Sequence, residues 1–355
     1  MFSSKNNYLY INIIFIFYFN IQKMKFLIYI VLLALSLCDS GNKFIENAPW
    51  STHFTKIFAE VKKIPMKKIS VAAAEDGAVL EAVNIARERG IADAVLVGNE
   101  EKIRTIAKEL NIDIDKFKII NEPDPKTAAM KAVKLVHDGE CEMYMKGMLQ
   151  TKDFLKSILD KEVGLRTGEV LSHVAVFEVK GIPQLLFMTD GGFIISPTLE
   201  EKVHLINNAV KIAKACGIEK PKVAPLCAVE VVNPKMQCTV DAYELTKLNE
   251  KGDIKDCIVD GPMSMDMAIS REACEHKGIL DRQIAGDADV LLFPDIHSNN
   301  IAAKFVAHTV EHYAGMILSG TSAPVILTSR SDDINTKVTS IAFSSYIAEN
   351  LKKKK

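Results

Sequence analysis

Short apolar runs alternate along this chain with stretches whose apolar residues return every three or four positions, and that alternation governs what it can fold into. Residues 69–73 form such a run, Glu75, Asp76 and Gly77 interrupt it, and Val79, Leu80, Val83 and Ala86 follow at helical spacing. The unit recurs with a strand at 94–97 before a helix at 103–110, a strand at 117–120 before a helix at 125–136, and a strand at 143–145. Strands separated by helices require crossovers, which are right-handed and lay the strands parallel. Runs 174–179 and 184–188, separated only by Lys180, Gly181, Ile182 and Pro183, read instead as an antiparallel hairpin. A second series then places helices at 199–216, 240–248, 263–276 and 301–313 around strands at 223–229, 257–259 and 290–293. A last strand at 325–328 and helix at 335–351 return to the first sheet. The expectation is an α/β protein of two doubly wound domains, 51–195 with 319–355 and 196–318, sharing an interdomain cleft.

Residues 1–50 do not follow this pattern. The apolar runs 8–21 and 26–37 are interrupted by Gln22, Lys23 and Lys25, and each falls short of the roughly 20 residues that cross a bilayer comfortably. An appended leader, a signal or anchor, and a start assigned too far upstream all fit, so the segment is set apart from the fold. Seven widely spread cysteines with no C-x-x-C pair read as free thiols in a reducing, cytoplasmic setting. With 44 basic against 45 acidic residues the chain has no field for gripping nucleic acid, which leaves a small ligand as the expected partner.

Open α/β sheets bind ligands beyond the carboxyl ends of their strands. Five polar loops fall there: Lys146-Gly147, Thr189 to Gly192 with Asp190, Asp260-Gly261-Pro262, Pro294-Asp295 with Asn299-Asn300, and Ser329 to Asp333. Glycine beside a polar residue lets backbone amides approach an anion. The last loop carries the most chemistry. Arg330 offers a planar fork for a phosphoryl group, Ser329 a hydroxyl donor, and Asp332 or Asp333 a carboxylate able to accept a thiol proton or simply to cap the following helix.

The stretches VAAAED (71–76), MKGM (145–148), GLRTG (164–168), LSHVAV (171–176), DGPMS (260–264), FPD (293–295), NNIA (299–302) and TSRSD (328–332) resemble, in order and spacing, the phosphate butyryltransferase branch of the phosphotransacetylase family. The resemblance runs from about 51 to 348. It implies a fold like the isocitrate and isopropylmalate dehydrogenases, no tightly bound cofactor, and exchange of coenzyme A and phosphate on a short acyl group through a ternary complex without an acyl-enzyme. Acyl-CoA, phosphate and acyl phosphate are the implied partners, and a homo-oligomer without membrane attachment the implied state. Ser329 and Arg330 match the family pair that stabilises developing charge. The family's thiol base falls about six residues after that arginine, where this chain has Thr336, so Asp332 is the substitute assigned here. Lys146, Gly147, Arg166, Asp190 and Asn300 complete the expected substrate site, with Arg166 preferred because Lys156 stands where relatives often carry arginine.

Weaker constellations are read blandly. His308 and His312 are four apart on the expected helix but lack the glutamate of a zinc motif, and Asp281, Asp287 and Asp289 come without a dinucleotide fingerprint. Met263, Met265 and Met267 could line an acyl pocket or fill a core. The rivals to acyl transfer are acetyl rather than butyryl specificity, a metal- and NAD-dependent dehydrogenase on the same fold, and an idle binding relative.

Overall fold

The computed structural model describes residues 48–352; the expectations for the leader and for Cys38 fall outside them. Eleven strands form one continuous sheet in the order β3-β2-β1-β4-β11-β10-β5-β6-β9-β7-β8. On one flank β1 (Lys67–Ala72), β2 (Ala92–Gly98), β3 (Lys118–Asn121) and β4 (Met143–Lys146) run parallel, as the interleaved helices require. On the other flank β6 (Leu186–Thr189), β9 (Val290–Leu292), β7 (Lys222–Pro225) and β8 (Ile258–Val259) run parallel.

Two eight-residue strands join the flanks: β5 (Ser172–Val179) pairs antiparallel with β10 (His312–Ser319) along their full length. The separate sheets expected from the sequence are therefore fused. The missing element was β10, whose apolar run follows the preceding helical pattern with no glycine or proline between them. Consequently the helix expected at 301–313 is α10 in Ile296–Thr309, and His308 and His312 lie on different elements. The hairpin β5–β6 is antiparallel, and β11 (Val325–Ile326) returns to pair with β4, both as expected.

Helices begin where polar side chains satisfy their free amides. Asp76 caps α2 (Gly77–Glu88), Asn99 caps α3 (Glu100–Glu109) and Asp124 caps α4 (Pro125–His137); α5 (Thr151–Ile158) follows β4. Thr198 and Glu201 form a reciprocal capping box on α6 (Leu199–Ala215), and α7 (Gln237–Lys251) ends at the left-handed Gly252. The single helix expected at 263–276 is broken into α8 (Met265–Ile269) and α9 (Arg271–Lys277), because the Ser270 hydroxyl accepts from the Ala273 amide and starts a new helix.

An additional helix, α1 (His53–Val61), precedes β1 and buries Phe54, Ile57, Phe58 and Val61, a spacing that makes one apolar stripe. Its start converges on Glu178 of β5, which is 3% exposed. The amides of Thr52, His53 and Phe54 donate to that carboxylate at 2.7, 3.0 and 2.9 Å, and the Ser51 hydroxyl at 2.8 Å. An anion at a helix N-terminus is stabilised by the exposed amides and by the helix dipole. Phe54 packs on Tyr313 of β10 and on Phe343 of α11 (Ile334–Lys352), locking the start of the fold to its centre.

Candidate active site

A cavity of about 240 Å³ opens beside the centre of the sheet. Its floor is β5, where His173, Ala175 and Phe177 share a face by strand alternation, with Met316 of β10 opposite Ala175. One wall is α10, contributing Asn299, Asn300, Ala303, Lys304, Ala307 and His308. The remaining walls come from Gly191 and Gly192 after β6, Thr151 of α5, and the segment after β11 with Leu327, Thr328, Ser329 and Asp332. Three of the five loops singled out from the sequence thus meet here.

The segment 328–333 is held by its own side chains. The Asp332 carboxylate accepts from the Ser329 amide at 2.7 Å, the Ser329 and Ser331 hydroxyls are 2.9 Å apart, and Asp333 accepts from the Thr336 amide at 2.7 Å. Asp333 is therefore the helix cap, and Asp332 is the carboxylate on the cavity wall. Arg330 is exposed and makes one long hydrogen bond, 3.3 Å, to Gln150. Beneath the loop lie two buried cations. Lys337 donates to the carbonyls of Ser329 at 3.3 Å and Asp332 at 2.5 Å. Among the described residues Lys146, 5% exposed, has only the Gly147 carbonyl at 3.3 Å as a hydrogen-bond partner. Burial and the nearby Arg330 guanidinium hold the Lys146 ammonium below its ordinary range. Lys337 was missed by sequence reasoning; the available signal was a lysine in a helix first turn, where the dipole disfavours it.

The other expected residues are distributed differently. Asn300 is at the cavity, donating to the Gly191 carbonyl at 2.9 Å. Gly147 is buried in the backbone, its amide 2.9 Å from the Ala72 carbonyl, and a Cβ there would come within 2.2 Å of the Ala73 carbonyl. Its glycine serves that close approach. Asp190 is buried, and its carboxylate accepts from the amides of Gly192, Phe193 and Ile194 at 2.8, 3.0 and 3.2 Å, so it shapes the glycine loop from behind. Desolvation raises its pKa, against the lowering effect of those amides and of His173. Arg166 is exposed, bridges Thr321 and does not line the cavity; Lys156 is exposed beside Asp153. Met263 and Met267 are fully buried in the core around β6 and β9, which settles them as core filling. Asp287 and Asp289 both bind Lys222, consistent with structural carboxylates.

Two cavity residues carry unused capacity. Among the described residues neither side-chain polar atom of Asn299 has a hydrogen-bond partner, although the residue is 1% exposed. The Nε2 of His173 donates to the Leu327 carbonyl at 3.3 Å, and its Nδ1 has no hydrogen-bond partner among the described residues. Nitrogen or oxygen atoms buried without partners cost about 1–3 kcal/mol each, a cost that a bound polar ligand can offset. The sequence named Asn299 only as part of a loop, and His173 only within a motif.

A sheet with crossover helices and polar loops meeting at a cavity beside its centre defines the α/β class. The phosphate acetyl/butaryl transferase family matches residues 53–128 and 124–345, and the chain belongs to that family of transferases. It is 51% identical to a phosphate butyryltransferase of Clostridium acetobutylicum over 297 residues, 84% of this chain and 98% of that protein. It is 43% identical to a phosphate acetyltransferase of Thermotoga maritima over 295 residues, 83% of this chain and 100% of that one. A branched-chain phosphotransacylase from Enterococcus faecalis superimposes with a TM-score of 0.71 at 32% identity, covering 80% of this chain and 99% of the other. The fold and enzyme class expected from the sequence are thereby borne out. Among the described residues no helix is long and apolar enough to cross a membrane.

Proposed function

We propose that the chain transfers a short acyl group, butyryl foremost, between coenzyme A and phosphate, with no metal or tightly bound cofactor. The observation that carries this reading is the loop 329–332 at a cavity lined by both polar and apolar side chains, with Lys146 and Lys337 buried beneath. In the forward direction a phosphate oxygen attacks the thioester carbonyl, the carbon–sulfur bond breaks, and the sulfur leaves as thiolate and takes up a proton. Arg330 holds the phosphoryl oxygens by its fork, and the Ser329 hydroxyl donates to the charge that develops on the carbonyl oxygen. Lys146, which among the described residues is in no ion pair within 4.0 Å although Asp76 acts on it from further off, adds positive potential. Asp332, whose second oxygen is not used by the Ser329 amide, serves the thiol proton in the reverse direction. The halves 51–195 with 319–355 and 196–318 act as two lobes about the shared strands β5 and β10.

The test is thiol release from acetyl-, propionyl- and butyryl-CoA with phosphate, using chelator-treated protein. Phosphate-dependent release, fastest with butyryl-CoA, is expected. Absence of release, or release only after a divalent metal is restored, refutes the reading.

A further inference from the structure

Helix α10 carries an unusual burial pattern. Of its fourteen residues only Asn299 is fully buried, while Ile301 and Phe305 on the outer side are 69% and 64% exposed. Its inward residues Ala303 and Ala307 are half-buried and line the cavity, and Ala303 also packs on the core that contains Ala175 and Met316. Along the cavity the helix presents the amides of Asn299 and Asn300 and then the methyls of Ala303 and Ala307, with Lys304 and His308 beside them. The floor changes in the same direction, from His173 through Ala175 to Phe177. His173 and Asn299 mark a common end, since Gly191 and Gly192 pack against Asn299 and His173 respectively.

Building on the acyl-transfer reading, we propose that the space beneath α10 is the acyl-chain slot, with Ala303 and Ala307 as its chain-length determinants. From Asn299 the helix rises ~6 Å to Ala303 and ~12 Å to Ala307. The strand advances roughly 7 Å from His173 to Ala175 and 13 Å to Phe177, so the two walls keep step. An extended acyl chain advances about 1.3 Å per bond, which takes a butyryl methyl about 4 Å beyond the carbonyl carbon. Adding a methyl radius of about 2 Å brings it against the layer of Ala175 and Ala303. Hexanoyl passes that layer and approaches Ala307 and Phe177. Two small side chains therefore set the limit, one for each additional pair of carbons.

The experiment compares kcat/KM for acetyl-, butyryl- and hexanoyl-CoA, each with phosphate. Ala303→Leu is expected to lower the butyryl-to-acetyl ratio by roughly tenfold or more, the scale on which a filled pocket rejects a longer chain. Ala307→Leu is expected to lower the hexanoyl-to-butyryl ratio similarly and to leave the butyryl-to-acetyl ratio alone. Ile301→Ser, on the outer face of the same helix, should move neither ratio. If the leucine at 303 prevents folding, Ala303→Val gives the same readout with a smaller intrusion. Unchanged ratios in an active Ala303 variant overturn the slot, as does an equal shift with Ile301→Ser. A wild-type protein that releases thiol from none of the three overturns the transfer reading and the slot together.

Discussion

Replacing Lys146 by methionine should leave the protein at least as stable in phosphate-free buffer and should remove the stabilisation that phosphate confers. The ammonium is 5% exposed, has no carboxylate within ion-pair distance among the described residues, and is lowered by its own burial and by Arg330. A buried unpaired charge costs several kcal/mol until an anion arrives, whereas methionine fills similar space without that cost. Phosphate at a hundred times its Kd stabilises the native protein by about 2.7 kcal/mol. With an unfolding entropy near 0.6 kcal/mol/K for about 300 residues, that is a rise of about 4 °C in Tm. The variant should show little or none of it. The pH dependence has a fixed sign. Lys146 is held below its unfolded value, so between the two values the unfolded chain binds more protons and stability rises with pH. Below the folded value the cost of the buried charge is fully present. The variant should lack this alkaline rise. Thermal melts with and without phosphate, from pH 7 to 10.5, provide the readout. A fall of several degrees without phosphate, or an undiminished phosphate shift, would refute the assignment of Lys146 as a cation waiting for an anion.

Arg330→Lys should lower kcat by roughly a hundred- to thousandfold, since ammonium keeps the charge but loses the fork; its exposed position means Tm should hold, and a variant inactive only through unfolding would remove it from the mechanism. Glu178→Gln replaces a carboxylate that accepts four hydrogen bonds with a group that must turn an amide nitrogen toward donors, so urea unfolding should show a loss of about 2–4 kcal/mol with turnover per folded molecule unchanged. Burial pushes the thiols of Cys141 and Cys257 up to about 11, so iodoacetamide at pH 8 should modify them slowly and leave activity intact; rapid labelling of either by mass spectrometry would contradict their buried state.

The parallel flanks were legible because their strands are short and apolar and β1, β2 and β3 each lead into a helix capped by Asp76, Asn99 or Asp124, and the segment 328–333 because serine, arginine and aspartate together have a definite chemistry. What was hidden was long-range. Strand β10 reads locally as more helix, and only its pairing with β5 decides otherwise. Asp190 and Gly147 are residue types expected at a substrate site, but three amides occupy the Asp190 carboxylate and the Ala72 carbonyl takes the Gly147 amide. Asn299 and His173 become notable only when burial exposes their unused capacity, and Lys337 only when its ammonium is seen under two carbonyls of the loop.

The carboxylate of Glu178 also bears on the order of events during synthesis. Ser51 leaves the ribosome first, yet its hydroxyl finds its acceptor 127 residues later. At 5–20 residues per second that is a wait of about 6–25 s, lengthened further until Tyr313 and Phe343 are made. Throughout that interval α1 has no complete surface to dock on. Docking of α1 on Glu178 and on the rings of Tyr313 and Phe343 therefore waits until nearly all of the chain has been made.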